Sequence, residues 1–241
     1  MDEIVQQGEL SRIRTAYEHR QACRWDRRYT IAEKGNVLRT EEVQRHMLDL
    51  IVSRFGSDLS GTRILEVGCG SGYWLRQLIQ WGAPPANLFG VDLLADRIAA
   101  ARELCPSAVH LDCADASRLR FSDGSFDVVL QLTVFTSVLD AGIKKAIASE
   151  ILRVLKPDGC VLWYDFFANN PSNPDVRGIS KKEIQRLFPG CRVQLQRVTL
   201  VPPLGRLLGK ISSGAYRAMS AMKVLCTHYL GIIEKSSASA H

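Results

Sequence analysis

Between Thr40 and Phe55 the apolar side chains Val43, Met47, Leu50, Ile51 and Phe55 recur at helical spacing, and Gly56 follows. Glu41 and Glu42 sit in the first turn, where the helix dipole favours them, so the pattern predicts an amphipathic helix. From Arg63 onward it changes to short apolar runs separated by helical stripes. ILEVG at 64–68, NLFGVDL at 87–93, AVHLDCA at 108–114, FDVVLQL at 126–132 and CVLWYDF at 160–166 read as strands. Between them, Trp74, Leu75, Leu78 and Ile79 form one stripe, and Leu94, Ile98 and Ala101 begin a second. Asp140 can cap a third, which carries Ile143, Ile147, Ile151 and Val154. Strands joined by single helices need right-handed crossovers, which predicts an α/β fold with a parallel sheet covered on both faces.

The flanks are different. Residues 1–37 are mixed and charged, with aromatics at Tyr17, Trp25 and Tyr29, and read as a helical arm. After the fifth strand a polar loop (168–178) precedes a short helix, KKEIQRLF, that Ser180 can cap. RVQLQRVTL at 192–200 and CTHYLGIIE at 226–234 read as two more strands. Between them, Pro202 and Pro203 open a basic helical segment in which Leu204, Leu207, Leu208 and Ile211 share a face. The segment 204–223 reads as a lid over a site, with contact at a membrane surface as the alternative, for which its apolar stripe is short. The expected division is an N-terminal arm and cover at 1–56 and a main domain at 57–241, with a helical insert at 201–225.

Composition narrows the class. A hydrophobic share of 46% suffices for one core, and no apolar run approaches the roughly 18 residues of a membrane span. The polar N-terminus is unlike a secretory signal, so a cytoplasmic protein is expected. Seven cysteines lie scattered without a Cys-x-x-Cys pair, which argues against a disulfide framework or a zinc site, and no metal is expected. The net charge of +6 comes without a long run of consecutive cations, and an aromatic share of 7% supplies no base-stacking platform. No nucleic-acid partner is expected.

The chemistry concentrates at Glu66-Val67-Gly68-Cys69-Gly70-Ser71-Gly72. A strand that passes through glycines into a helix brings bare backbone close to a ligand at the helix N-terminus. Asp92, at the end of the next strand, is placed to accept both hydroxyls of a ribose. Dinucleotide-binding enzymes share these two features, and three details separate them. Tyr73 stands where their pattern needs a third glycine. Glu66 suits a ligand with a cationic amino group better than a pyrophosphate. Asp115, after the third strand, can accept from an adenine amino group.

Together these residues resemble the class I S-adenosylmethionine (SAM)-dependent methyltransferases over residues 60–165, and the tract WYDFFANNPSNPDVR at 163–177 resembles bacterial small-molecule methyltransferases. The resemblance implies SAM as cofactor and S-adenosylhomocysteine as product. It implies a Rossmann-like, mostly parallel sheet of order 3-2-1-4-5-7-6, with strand 7 antiparallel and helices on both faces. Residue by residue, it implies that Glu66, Gly68, Cys69, Gly70 and Gly72 wrap the methionine moiety. Asp92 then holds the ribose, Leu93 packs on adenine, Asp115 with Ala116 reaches the adenine amino group, and Gln131 contacts the amino-acid end. Ala114 stands where many relatives have glycine.

The acceptor side rests on less. A hydroxyl acceptor needs a base, for which His228 is the first candidate and Asp165 the second. His19 and His46 read as surface residues, and Arg177 as a clamp for an acidic acceptor or a solvated cation. The expected function is methyl transfer to a small-molecule acceptor at oxygen. A non-catalytic partner protein of the same fold, or an enzyme acting on a lipid or quinone at carbon, stays open. Nothing in the sequence fixes the oligomeric state.

Overall fold

The computed structural model describes residues 3–22, 33–170 and 173–236; Trp25, Tyr29 and the arginines at 24, 27 and 28 lie outside them. Its helices are α1 (Glu3–Ala22), α2 (Lys34–Phe55), α3 (Tyr73–Gln80), α4 (Ala95–Leu104), α5 (Ala141–Val154), α6 (Lys181–Leu187), α7 (Pro202–Ile211) and α8 (Ser213–Ala221). Its strands are β1 (Ile64–Val67), β2 (Leu88–Asp92), β3 (His110–Cys113), β4 (Phe126–Leu132), β5 (Leu155–Phe166), β6 (Cys191–Leu200) and β7 (Cys226–Lys235). All seven strands form one sheet of order β3-β2-β1-β4-β5-β7-β6. β7 runs antiparallel to β5 and β6, and the other pairs are parallel. This is the order that the resemblance implies.

Strand periodicity sorts the side chains into two layers. Leu65, Val67, Val129, Val161 and Trp163 face one side, with Ile147 and Ile151 of α5. Ile64, Val128, Leu130, Leu162 and Tyr164 face the other, with Met47 of α2 and Leu75 of α3. β1 lies at the centre, buried along its whole length, which is why its apolar run is unbroken. β3, at the edge, is mostly exposed. Because β1, β2 and β4 are parallel, their carboxyl ends gather at one edge, and the functional loops leave from there.

Strand ends shift by one or two residues from the sequence reading, and three elements depart further. α2 begins at Lys34, ahead of Thr40, because Leu38 packs with Leu200 and Tyr216. β5 begins at Leu155, where it pairs with Phe126 before a register shift. The insert is two helices, broken at Ser212, whose hydroxyl caps α8 by accepting from the Ala215 amide.

The insert also packs the other way round. Gly205 and Gly209, not the leucines, are the buried residues of α7. A Cβ on Gly209 would lie 2.6 Å from Gly35 Cα in α2, so the crossing is closed by bare backbone. Leu207 and Ile211 are left exposed. Among the described residues, no helix is long and apolar enough to cross a membrane.

Candidate cofactor site

The loop after β1 is fixed from beneath. The Gly68 and Cys69 amides donate to Val91 O at 2.8 and 3.0 Å, and the Gly72 amide donates to Cys69 O at 2.9 Å. Gly68, Gly70 and Gly72 all have positive φ, where a Cβ is costly. Their surroundings differ. A Cβ on Gly68 would lie 2.5 Å from Val134 Cγ2, and one on Gly72 would lie 2.5 Å from Cys105 Sγ. At Gly70 the nearest atom would be Arg97 Nη1, 3.6 Å away. Gly68 and Gly72 are therefore demanded by packing, while Gly70 faces open space.

Two carboxylates stand at this edge. Asp92 Oδ2 accepts from the Gly70 amide at 2.8 Å, and Oδ1 accepts from the Leu94 amide at 3.0 Å. Burial raises the pKa of Asp92, and those two donors oppose the shift. Asp115 Oδ1 accepts from the Ser117 amide at 2.8 Å, while Oδ2 accepts from Gln6 Nε2 of α1 at 2.8 Å.

The Asp115–Gln6 bond belongs to a set that straps α1 across the edge. Gln6 also donates to Ser117 Oγ at 2.9 Å, and Arg118 donates to Gln6 Oε1 at 3.0 Å. Arg12 Nη2 donates to Ser137 O at 2.6 Å, and Glu9 accepts from the Leu139 amide. Beneath α1 lies a cavity of about 190 Å³. Gly68, Gly70, Asp92, Leu93, Asp115 and Ala116 line it, together with Leu10, Ile13 and Tyr17 of α1. Arg97, Thr133 and Val134 are also in the wall. Sequence reasoning did not single out these last three or the α1 face, although the spacing of Leu10, Ile13 and Tyr17 is that of a helical stripe.

Four of the expected cofactor residues do not line the cavity. Cys69 and Gly72 are buried in the loop's underside. Glu66 alternates with Leu65 and Val67, so its carboxyl points to the opposite face of the sheet, where it is 2% exposed. Burial first, and the Asp92 charge second, push its pKa well above the usual carboxylate range. Its carboxyl is turned away from the cavity, so Glu66 reaches a ligand there only through the loop that it underlies. Gln131 is fully buried; its Oε1 accepts from the Val134 amide at 3.2 Å, and its Nε2 has no partner. A buried donor without a partner is what a ligand's carboxylate would satisfy.

The two expected bases are elsewhere. His228 is at the carboxyl edge, paired with Phe166, but it stacks on Tyr164 at 5.0 Å on the α2 side of the sheet. Burial, with Arg39 nearby, lowers its pKa to about 3. Asp165 is fully buried and spent on structure: Oδ1 accepts from Thr136 Oγ1 at 2.6 Å and from the Phe166 amide at 3.0 Å. Its Oδ2 accepts from the Thr136 amide at 3.2 Å. Neither side chain lines the cavity. Arg177 lies 3.8 Å from Glu183 and His46 beside Arg45 and Gln196, both away from the cavity. A larger cavity, about 710 Å³, opens between α2, α8 and β6, but no residue of the glycine loop reaches it.

The smaller cavity suits SAM on its own chemistry. Apolar walls from Ile13, Val91, Val138 and Ile143 match a purine, and Asp92 and Asp115 offer acceptors at two points. The comparisons agree. Residues 64–159 match the methyltransferase domain family. The mitochondrial citrate synthase-lysine N-methyltransferase of Pongo abelii is 30% identical over 179 residues, which covers 64% of this chain and 72% of that one. The 2-methyl-6-phytyl-1,4-hydroquinone methyltransferase of Synechocystis is 38% identical over 109 residues, covering 44% of this chain and 32% of that one. A SAM-dependent methyltransferase structure from Methanosarcina mazei superposes with a TM-score of 0.56 at 20% identity, covering 77% and 96%. Sheet order, glycine loop and relatives together establish that this chain belongs to the class I SAM-dependent methyltransferases.

Proposed function

We propose that the cavity between the Gly68–Gly72 loop and α1 holds SAM, and that the chain moves its methyl group to an oxygen of a small-molecule acceptor. The observation that carries this reading is the cover. Leu10, Ile13 and Tyr17 of α1 lie over the cavity, and Gln6, Glu9 and Arg12 tie the helix down. A covered site favours an acceptor that can be enclosed and excludes water from the transfer.

In this reading Asp92 takes the ribose hydroxyls, Leu93 packs on adenine, and Asp115 with the Ala116 backbone faces the adenine edge. Gln131 turns its unpartnered amide toward the amino-acid end, and Glu66, Cys69 and Gly72 support the loop from behind. Bound SAM supplies an electrophilic methyl group on a sulfonium. The chain's share is alignment: the loop after β4 and the α1 cover hold donor and acceptor in line. No His or Glu lines the cavity among the described residues, so the acceptor oxygen is one that ionises readily, such as a phenol or enol.

Label transfer from methyl-labelled SAM tests this. Pools of phenols, enols and aliphatic alcohols, a cell-protein fraction and a tRNA fraction are offered in parallel. Label in the phenol or enol pool supports the reading, and label confined to protein or tRNA contradicts it.

A further inference from the structure

From residue 184 to residue 233 the chain has seven cations, Arg186, Arg192, Arg197, Arg206, Lys210, Arg217 and Lys223, and no Asp or Glu. The whole chain carries +6, so this tract holds the entire surplus although no two of its cations are adjacent. Its helical insert also carries half of the large apolar side chains exposed among the described residues. Leu207 is 55% exposed, Ile211 69%, Met222 59%, Val224 73% and Leu225 44%.

The packing of α7 explains the exposure. With roughly 100° per residue, Gly205 and Gly209 share the face that meets Gly35 of α2, and Leu207 and Ile211 point away. Arg206 and Lys210 flank that outer stripe. Leu208 packs against the Leu38, Leu200 and Tyr216 cluster, but glycines fill the buried positions of α7 and two of its large apolar side chains are left outside. Lys210 lies 3.6 Å from Glu33 and Arg217 3.7 Å from Glu41, yet these cations remain 69% and 74% exposed, so water screens both pairs.

Exposed large apolar side chains gathered on one insert mark an interaction surface. Its surroundings select the partner. A nucleic acid would answer the cations and leave Leu207 and Ile211 in water. An anionic lipid surface answers both, through headgroup charge and the acyl boundary. We propose that the α7–α8 insert and the turn after it dock onto an anionic bilayer surface.

The insert joins the end of β6 to the start of β7, where Leu200 pairs with Cys226 and Phe166 with His228. Docking would therefore turn the carboxyl edge of the sheet toward the lipid. Resting on the function proposed above, the small-molecule acceptor is then an amphiphile that partitions into the bilayer.

Vesicle sedimentation of the full chain tests the surface without any activity measurement. Phosphatidylcholine vesicles with and without phosphatidylglycerol are compared at low and high salt. Binding should require phosphatidylglycerol and fall as salt rises. Leu207→Ser with Ile211→Ser, both exposed, should weaken it at least tenfold, while melting temperature and S-adenosylhomocysteine affinity stay unchanged. Arg206→Glu with Lys210→Glu should do the same. No binding to phosphatidylglycerol vesicles at low salt, or equal binding by the serine variant, would overturn the proposal. So would a dimer in solution that the serine pair dissolves, because it would assign this face to a second copy. Vesicle binding without methyl transfer to a lipid-soluble phenol would leave the surface standing and overturn only the acceptor class.

Discussion

Gln6 Nε2 lies 2.8 Å from Asp115 Oδ2, so a side chain of the N-terminal helix occupies an acceptor on the carboxylate assigned to adenine. The same amide donates to Ser117 Oγ, which makes Gln6 a staple between α1 and the loop after β3. Gln6→Leu removes bonds worth about 1 kcal/mol each. We expect α1 to open more often, with faster tryptic cleavage after Arg12 and Arg14 and faster release of S-adenosylhomocysteine. Ligand should slow that cleavage in the wild type. Equal cleavage rates with and without ligand would mean that α1 does not cover the cavity.

Gly70 and Gly72 should fail in different ways. Gly72→Ala puts a methyl group against Cys105 Sγ at positive φ, so it should lower stability by about 1–3 kcal/mol. Gly70→Val meets little protein, and its side chain fills the face open to the ligand. It should cost more in S-adenosylhomocysteine affinity than in stability. Thermal melts paired with calorimetry separate the two; matching losses of affinity and stability in both variants would contradict the assignment.

Asp165 and His228 should give opposite pH slopes. Burial raises Asp165 to about 7. Between about pH 4 and pH 7 the folded chain keeps this proton and the unfolded chain does not, so stability falls as pH rises. His228 is lowered to about 3, chiefly by burial. Between about pH 3 and pH 6.5 the unfolded chain binds the proton and the folded one does not, so stability rises with pH. In the wild type the two effects oppose each other. Relative to wild type, Asp165→Asn should make the slope more positive and His228→Phe more negative, each by about 1.4 kcal/mol per pH unit. Denaturant midpoints across pH 4–7 that run parallel for all three proteins would refute both assignments.

Much of this was legible in the sequence. The strand runs predicted a parallel α/β sheet, and its strand order was what the family resemblance of the E-x-G-x-G-x-G loop implied. Asp92 and Asp115 follow from their places at strand ends. The direction of Glu66 was readable too, since strand alternation alone puts it on the face opposite Leu65 and Val67. His228 was read as a base, and the sequence did not show that its ring would stack on Tyr164 and be buried there. In α7 a search for apolar spacing found the leucines and passed over Gly205 and Gly209, whose missing side chains let the backbones meet. Only contacts distant in sequence decide such a face.

The central claim is that Asp92 and the glycine loop hold SAM in the cavity beneath α1, and calorimetric titration with S-adenosylhomocysteine tests it most directly. Wild-type protein should bind in the micromolar range, about 8 kcal/mol, and should not bind NAD. Asp92→Ala removes a charged acceptor whose bonds to hydroxyls are worth about 1.5–3 kcal/mol each, so affinity should fall at least tenfold. The fold should survive, because the loop keeps its bonds to Val91 O, and stability should fall only by the two lost bonds from the Gly70 and Leu94 amides, about 1 kcal/mol each. An Asp92→Ala protein that binds S-adenosylhomocysteine as tightly as the wild type would place the cofactor somewhere else.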